Sequence, residues 1–445
     1  MSQDAIYSYF ITITDYANGI VQGKEILLCN LIAENSSFVR FNHAKVRQPG
    51  TVLQFLFSFR LIEGHRHCAT EIMLSGDFEQ DKHSINKIIT SLREKVSVLQ
   101  DDPLLLINSE IQNSEHVGTN LLPSAQDMVD EILQKGEGVD LVGILASGGI
   151  YRGFRNSLGQ MNWFESYNYN FDYSMVYSAD KAVKSSYAGT SWDSSVFSKS
   201  FELAKKKLQI LGRDSKTIDP GKYRVYLSEV AVGEILGLLS WGGFSLQAQK
   251  SKSSSLHNLI EGTSSLDPRI SIYENIADGT APRFQNQGFM SPEKVTLIEE
   301  GKHVSSLVSP RSSQEYAIEN NGAAGHESPS SLEMNGGSLD SDQIISTLDT
   351  GLYISNLWYL NYSDRMACRM TGMTRFATFW VENGEVVAPV NVMRFDDTLF
   401  SIFGSEQLQH ITKEQQFLLS ASTYHHRSTE SMRLPGVITN MNFTL

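Results

Sequence analysis

The segment EVAVGE, residues 229–234, carries a glutamate at each end inside an apolar stretch. Zinc peptidases place two neutral imidazoles on one helix, with a carboxylate beside the first, because the metal-bound water needs both a Lewis acid and a proton acceptor. Here Glu229 and Glu234 stand where such a helix would need imidazoles, and Val230 follows the first. Two glutamates could hold a divalent ion, but a carboxylate is a poorer zinc ligand than imidazole, and valine cannot take a proton. The segment therefore predicts a packed helix with two glutamates at its water-exposed edge.

The other metal-binding residue types do not form a convincing ligand set. His65, His67 and Cys68 are close in sequence, and in a strand the two histidines would share one face. Zinc needs about four donors, and no second cluster accompanies this one. His425 and His426 are adjacent in a polar segment, where side chains are usually solvated. The sequence thus predicts no metal site in this chain.

Two further motifs are absent. The glycine-rich segment ASGGIYRG, residues 146–153, has neither the GxGxxG spacing nor the GK[ST] ending of a phosphate-binding loop. No GxSxG elbow marks a serine nucleophile, and in AGTSWDS, residues 188–194, nothing indicates a histidine partner for the serine beside the aspartate. Bends and loops account for both segments.

Composition limits the class of protein. The chain has 445 residues, of which 41% are hydrophobic and 20% charged, and this indicates a soluble protein of two or three domains. A formal net charge of −13 argues against direct binding to nucleic acid. The three dispersed cysteines fit a reducing compartment. We see no secretory signal and no apolar run long enough to cross a bilayer, so we expect a cytoplasmic protein with no membrane contact.

The N-terminal half predicts strands followed by helices. Residues 25–80 are rich in β-branched and aromatic residues and contain turn signals. A helix is expected from about Lys82, because isoleucine, leucine and valine recur at helical spacing. A second helix should begin after Ser124, which is a suitable N-cap, and a third should end at Gly212. An aromatic meander of strands lies between these two helices.

The C-terminal half predicts a helix over 226–243, long loops over 245–340 and then β patterning. An Asn-Gly pair within 382–385 is a hairpin signal. The fold class predicted is α+β, with an N-terminal α+β region of mixed strands and amphipathic helices followed by a β-rich C-terminal domain. We place the domains at 1–215 and 216–445.

Four segments, in order along the chain, carry a resemblance to a known family. They are FVRFNHAKVRQPG (38–50), YRGFRNSLGQ (151–160), DPGKYRVYLSEVAVGEIL (219–236) and ATFWVENGEVVAPVNVMRF (377–395). Together they resemble the TldD/PmbA family, whose members are called TldD and TldE (PmbA). The last segment is the most specific, and the resemblance covers nearly the whole chain.

In that family the TldD branch is a zinc metallopeptidase with an HExxxH helix and a further cysteine ligand, whereas the TldE branch lacks the ligands and pairs with TldD. Aligned on the central AVG, this chain has Glu229 and Glu234 at the histidine positions and Val230 at the glutamate position. A shift by one residue places Gly233 at the second histidine, and no cysteine follows Cys368. The resemblance therefore implies a TldE-like chain with no catalytic residue and no zinc of its own.

The resemblance also implies partners. We expect a cytoplasmic heterodimer with a zinc-bearing TldD-type subunit, which proteolyses unfolded or modified peptides and is linked to modulation of DNA gyrase. This chain would help to wall a channel that admits extended peptides. Asn156, Ser157 and Trp163 are candidates for peptide-facing residues, and the aromatic strands at 163–177 and 352–362 are candidate peptide or dimer surfaces. A place in the core is the simpler interpretation of these aromatic strands.

Two other functions stay open at this stage. The first is a homodimer that binds peptides without cutting them and needs no TldD-type partner. The second is a peptidase with a rearranged metal site, built from Glu229, Glu234 or the histidines at 65, 67, 425 and 426.

Overall fold

The computed structural model describes residues 3–178, 180–420 and 427–444. The elements before residue 215 are α1 (Gln3–Gly19), β1 (Ile26–Asn42), β2 (Lys45–Glu63), β3 (Arg66–Leu74), α2 (Phe78–Val96), β4 (Ser114–His116), α3 (Ala125–Lys135), β5 (Asp140–Asn156), β6 (Met161–Ser178), β7 (Lys181–Gly189) and α4 (Ser194–Leu211).

The remaining elements are shorter and mostly strands. They are β8 (Gly221–Leu227), α5 (Glu229–Gly237), α6 (Leu246–Lys250), α7 (His257–Ile260), β9 (Ile272–Asn275), β10 (Lys294–Glu299), β11 (Lys302–His303), α8 (Pro310–Tyr316), β12 (Ser331–Met334), α9 (Ile344–Leu348), β13 (Gly351–Asp364), β14 (Arg369–Glu382), β15 (Glu385–Pro389), β16 (Arg394–Thr398), α10 (Leu399–Ile402), β17 (His410–Leu419) and β18 (Ser431–Phe443). The predicted α+β class, with a strand-rich C-terminal region, is confirmed.

The first seven strands form one sheet in the order β3-β2-β1-β5-β6-β4, with β7 also paired to β6. All of its pairs are antiparallel except the short β4–β6 contact. Helices α1 and α2 cover one region of this sheet, where phenylalanines at alternate positions of β2 face the core. Helix α1 was not predicted from the sequence, and α2 begins at Phe78 rather than near Lys82. Asp77 sets that start, because its carboxylate accepts the amide N–H groups of Glu79 and Gln80.

Helices α3 and α4 cover a second region of the same sheet. Ser124 caps α3, and its hydroxyl accepts the Asp127 N–H at 3.1 Å, as the sequence predicted. Helix α4 ends at Leu211 and Gly212 follows as its C-cap. Ala377 and Phe379 of β14 belong to the same buried cluster as Phe197 and Phe201 of α4. Helix α4 is therefore packed between strands of both sheets.

The eleven later strands form the second sheet, in the order β11-β10-β9-β12-β18-β16-β14-β13-β8. Strand β15 also pairs with β14, and β17 with β18. Strand β8 pairs in parallel with β13 and antiparallel with β18, so this end of the sheet closes into a ring of strands. Helix α5 follows β8 directly and packs against β13 and β18. The closed ring fixes the position of α5.

Local turn chemistry explains the connection between β14 and β15. Asn383 and Gly384 have positive φ angles of 53° and 73° in the two-residue turn between β14 and β15, and this confirms the predicted hairpin.

The segment 245–340, predicted as long loops, contains short helices and strands with buried leucines and isoleucines. The proposed boundary between domains at residues 215 and 216 stays a prediction. In the described ranges, no helix combines the length and the apolar character that crossing a lipid bilayer requires.

Candidate functional site

Helix α5 has the packed form that its sequence predicted, but it is shorter than the predicted 226–243. Ser228 caps it: the hydroxyl oxygen accepts the Ala231 N–H at 3.3 Å and the hydroxyl donates to the Ser355 carbonyl at 2.6 Å. Strand β8 ends immediately before this cap. A Cβ at Gly233 would lie 3.2 Å from methyl carbons of Leu418 and Leu434, so a small residue suits this close approach to β17 and β18.

The two glutamates of α5 do not point at a common position. Five residues turn an α-helix through about 140° beyond one full revolution, which separates their side chains around the axis. Glu229 lines a cavity, and the Tyr226 hydroxyl donates to its Oε1 at 3.4 Å. Glu234 accepts the backbone N–H of Leu357 in β13 and does not line that cavity. Both are only half-buried, so the expectation of a fully water-exposed edge was wrong.

Burial governs the protonation of both carboxyl groups. It raises the pKa of Glu229, against the opposing effect of the Lys207 ammonium and the Tyr226 hydroxyl. Burial also raises the pKa of Glu234 to about 7, although the Leu357 N–H and the Lys184 charge act in the opposite direction. A carboxyl group with a pKa near neutral, as at Glu234, is partly protonated there and is a weak ligand for a cation.

The cavity next to Glu229 has a volume of about 440 Å³. Its walls come from α4, β7, the α5 N-terminus, β13 and β17, and thus from both sheets. The polar and charged side chains in its wall are Lys184, Ser185, Ser186, Tyr187, Ser200, Lys207, Tyr226, Glu229, Ser341, Tyr353, Gln415 and Gln416. This volume lies within the range of about 300–1,000 Å³ typical of small-ligand sites.

Two ammonium groups contribute positive charge to the cavity. Lys207 donates to the Tyr353 hydroxyl at 2.7 Å, and its Nζ lies 4.9 Å from the centre of the Tyr353 ring. Lys184 lies 3.3 Å from a carboxylate oxygen of Asp172, so its charge is largely compensated. Among the described residues, the cavity therefore presents one carboxyl group, that of Glu229, and one ammonium without a carboxylate partner, that of Lys207.

The residues present do not fit the zinc ion that the family resemblance would place on this helix. Only Glu229 of the two glutamates faces the cavity, and the Lys207 ammonium there repels a cation. Within the described parts of the chain, no three residues of His, Cys, Asp or Glu are placed to share a metal ion. The described residues of the cavity wall include neither the imidazole nor the thiolate that zinc prefers.

The other candidate ligands have structural contacts or lie outside the described residues. His67 Nε2 lies 3.1 Å from Asp102 Oδ2, and the Cys68 thiol donates to the Leu92 carbonyl at 3.3 Å. His65 is exposed in the turn before β3, so it does not share a strand face with His67. The pair of histidines at 425 and 426 falls among the residues that the structure does not describe.

The three suggested peptide-facing residues serve the first sheet itself. Asn156 is buried in the turn from β5 to β6, where its side-chain oxygen accepts the N–H groups of Leu158 and Gln160. The Ser157 hydroxyl accepts the Leu27 N–H at 3.0 Å. Trp163 is 1% exposed, and its indole N–H donates to Glu165 at 2.7 Å. Their side chains thus make contacts within the chain, and Trp163 also lines a separate cavity of about 600 Å³, so a role in facing a peptide stays a prediction.

The aromatic strands differ from each other. In β6 the tyrosines at 169 and 173 and Phe171 are buried, in keeping with a place in the core. In β13, by contrast, Trp358 is 41% exposed and Tyr359 is 74% exposed, so this strand keeps an aromatic surface available.

The residues that set the charge and hydrogen bonding of the cavity could not be identified from the sequence. Lys207 is the last of three consecutive lysines in α4, and nothing local distinguishes it from Lys205 or Lys206. Tyr353 comes from a strand more than a hundred residues later. Only the packing of α4 against both sheets brings these groups beside Glu229.

Comparison with known proteins places this fold in a family. Residues 220–444, just over half of the chain, match the family described as the PmbA/TldA metallopeptidase C-terminal domain. The chain therefore belongs to the TldD/PmbA family. A comparison with curated proteins gave no match.

Three solved structures share the fold over almost the full length. A protein of Thermotoga maritima, described as a proposed modulator of a DNA gyrase, has a TM-score of 0.77 at 13% identity, covering 98% of this chain and 100% of that one. TldE from Thermococcus kodakarensis has a TM-score of 0.75 at 13% identity, with 99% of each chain covered. A proposed DNA gyrase modulator of Bacteroides thetaiotaomicron has a TM-score of 0.75 at 14% identity, with both chains covered completely. At these identities the likeness establishes the fold alone.

Proposed function

We propose that this chain is the non-catalytic, TldE-like subunit of a two-chain cytoplasmic metallopeptidase. In this arrangement a TldD-type partner carries the zinc, and this chain binds the unfolded or modified peptides that the pair degrades. The observation that carries the proposal is the α5 cavity, where the described wall has Glu229 and the Lys207 ammonium but no imidazole of the kind that zinc chemistry requires. Family membership and the shared fold with a protein called TldE support it.

The role of this chain in such a complex is binding and architecture. It contributes no metal ligand, no activated nucleophile and no general base to hydrolysis. A link to DNA gyrase would run through degradation of peptides that act on the enzyme, because a net charge of −13 disfavours direct contact with DNA. In this proposal, a peptide segment binds in the cavity between α4 and α5.

Metal analysis with and without a co-expressed TldD-type chain tests the proposal. We expect the purified chain alone to carry substoichiometric zinc and to leave an unfolded test peptide intact. Together with the partner it should form a stable heterodimer with one zinc per pair, whose cleavage of that peptide is abolished by a chelator.

Two outcomes would contradict the proposal in different ways. A stable homodimer that binds peptides and ignores the co-expressed partner would indicate a stand-alone binding protein. Stoichiometric zinc in the chain alone, together with chelator-sensitive cleavage, would indicate a peptidase with a rearranged metal site.

A further inference from the structure

Lys207 and Glu229 face the same cavity without forming an ion pair with each other. The charge of Lys207 nevertheless acts on Glu229 and lowers its pKa relative to burial alone. In the described part of the chain, Lys207 has the Tyr353 hydroxyl as its hydrogen-bond acceptor and no carboxylate within salt-bridge distance. Holding an ammonium in a partly buried wall without a counter-ion is unfavourable. An anionic group entering the cavity would compensate it.

An apolar stripe leads along α4 to this ammonium. Val196, Ser200, Leu203 and Lys207 follow one another at helical spacing and all line the cavity. Val196 and Leu203 are each 52% exposed, so both keep apolar surface that a ligand in the cavity can contact. Phe417 of β17 adds an aromatic surface to the same wall.

Because Lys207 and Glu229 face the cavity without contacting each other, they also suit a ligand that carries a hydrogen-bond donor next to an anionic group. Glu229 can accept an N–H, and Lys207 can donate to a carboxylate. The last residue of a peptide has both groups, since its N–H nitrogen and its carboxylate carbon are each bonded to the Cα that also carries the side chain. A free phosphate or a fatty acid has no N–H for Glu229.

We infer that this cavity binds the C-terminal end of a peptide, with Lys207 holding the terminal carboxylate and Glu229 accepting the last main-chain N–H. The terminal side chain lies against Val196, Leu203 and Phe417. This inference rests on the proposed peptide-binding function and names the part of the peptide that is recognised. A peptide held by its C-terminus would be presented to the partner in one direction only.

The other charges around the cavity are compatible with this arrangement. Lys184 is compensated by Asp172 and adds little net charge. Glu414 lies outside the wall and is held by the hydroxyl and N–H of Ser341. Among the described wall residues Glu229 carries the one carboxyl group, and burial favours its neutral form, which limits its repulsion of an entering carboxylate.

Fluorescence anisotropy with two matched peptides tests the inference. The probe is an N-terminally fluorescein-labelled hexapeptide of glycine, alanine and leucine, prepared with a free C-terminal carboxylate and as its C-terminal amide. The full chain should bind the free acid at least about tenfold more tightly than the amide, which corresponds to one charge-assisted hydrogen bond. The preference should shrink as salt is added.

Lys207→Gln removes the charge while keeping a donor of similar length, and should bind both peptides equally. Lys206→Gln is the matched control, because Lys206 is the exposed neighbour on the same helix and does not line the cavity. This control should keep the wild-type preference. Thermal unfolding of both variants confirms that each is folded.

Equal binding of acid and amide to the wild-type chain would overturn the inference, as would a Lys207→Gln variant that keeps the preference. Failure of both peptides to bind would also overturn it. In each of these three cases, a zinc-bearing heterodimer that still cleaves peptides would leave the proposed function intact. Zinc and cleavage in the chain alone would instead refute the proposed function.

Discussion

The charged residues around α2 and those around α5 differ in whether they contact a partner of opposite charge. Around α2 they are paired: Arg93 donates to Glu25 at 2.9 Å, and Asp102 contacts both His67 and Arg311. Around α5, the Glu229 carboxylate and the Lys207 ammonium share a cavity without contact.

The pKa values of the carboxyl groups shift in opposite directions in the two regions. Near α2, Arg93 lowers the pKa of Glu25, and His67 above all lowers that of Asp102 to about 2. Near α5, burial raises the pKa of Glu229 and Glu234. Paired charges hold the chain together, whereas unpaired charges beside a cavity are available to a ligand.

The largest effect should come from breaking an ion pair near α2. Arg93→Ala leaves the nearly buried Glu25 carboxylate without its partner, and we expect it to lower the free energy of unfolding by about 2–3 kcal/mol. Urea denaturation measures this. Lys95→Ala, on the exposed side of the same helix, is the control and should change stability little. Equal effects of the two changes would contradict a stabilising role for the Arg93 contact.

Glu234→Gln should have an effect that depends on pH. The folded-state pKa of Glu234, about 7, is above its ordinary value of 4.5, so ionisation of this group weakens the fold as pH rises through that window. The variant keeps an oxygen for the Leu357 N–H and should be more stable than wild type by about 2 kcal/mol at pH 8, with little difference at pH 4. Urea denaturation at both pH values tests this.

The exposed Glu299→Gln variant provides the control for that experiment, and should not change the difference between the two pH values. A Glu234→Gln variant whose stability relative to wild type is the same at pH 4 and pH 8 would refute the assignment of a raised pKa.

Asp102→Asn should show the opposite pH dependence. The folded-state pKa of Asp102, about 2, is below its ordinary value of 3.8, so the ionised form stabilises the protein above pH 4 and this contribution is lost as pH falls towards 2. We expect the variant to lose about 1–2 kcal/mol at pH 7 relative to wild type, and less as the solution is acidified. A loss that grows towards low pH would contradict the comparison of the two regions.

The smallest effect should come from the cavity wall. Tyr353→Phe removes the hydroxyl that accepts from Lys207 but keeps the ring beneath the ammonium, so we expect a loss of about 1 kcal/mol or less in stability. Tyr359→Phe changes an exposed hydroxyl in the same strand and is the matched control. If Tyr353→Phe lowered the free energy of unfolding as much as Arg93→Ala does, the contact of Lys207 with Tyr353 would be mainly a structural one.

The sequence predicted the elements that depend on local patterns. The Ser124 cap, the end of α4 at Gly212 and the Asn383-Gly384 turn each need only a few neighbouring residues, and all three were found as expected. The predicted start of α2 lies four residues late, because the Asp77 cap that sets the start precedes the apolar stripe. Helix α1 is rich in β-branched and aromatic residues, which are weak signals of a helix, so its sequence does not reveal it.

The site could not be predicted in the same way. Glu229 was identified from its segment, but its importance depends on Lys207 and Tyr353, which are distant in sequence and meet it only through packing of α4 between two sheets. Long-range assembly, rather than any motif, creates the charge arrangement.

The most direct test of this account is a calorimetric titration of the purified full chain with zinc chloride, with Glu229→Gln as the companion variant. Because Glu229 shares its cavity with an ammonium and with no imidazole or thiolate, we predict no stoichiometric zinc binding and the same result for the variant. One zinc bound per chain, lost in Glu229→Gln, would contradict the account.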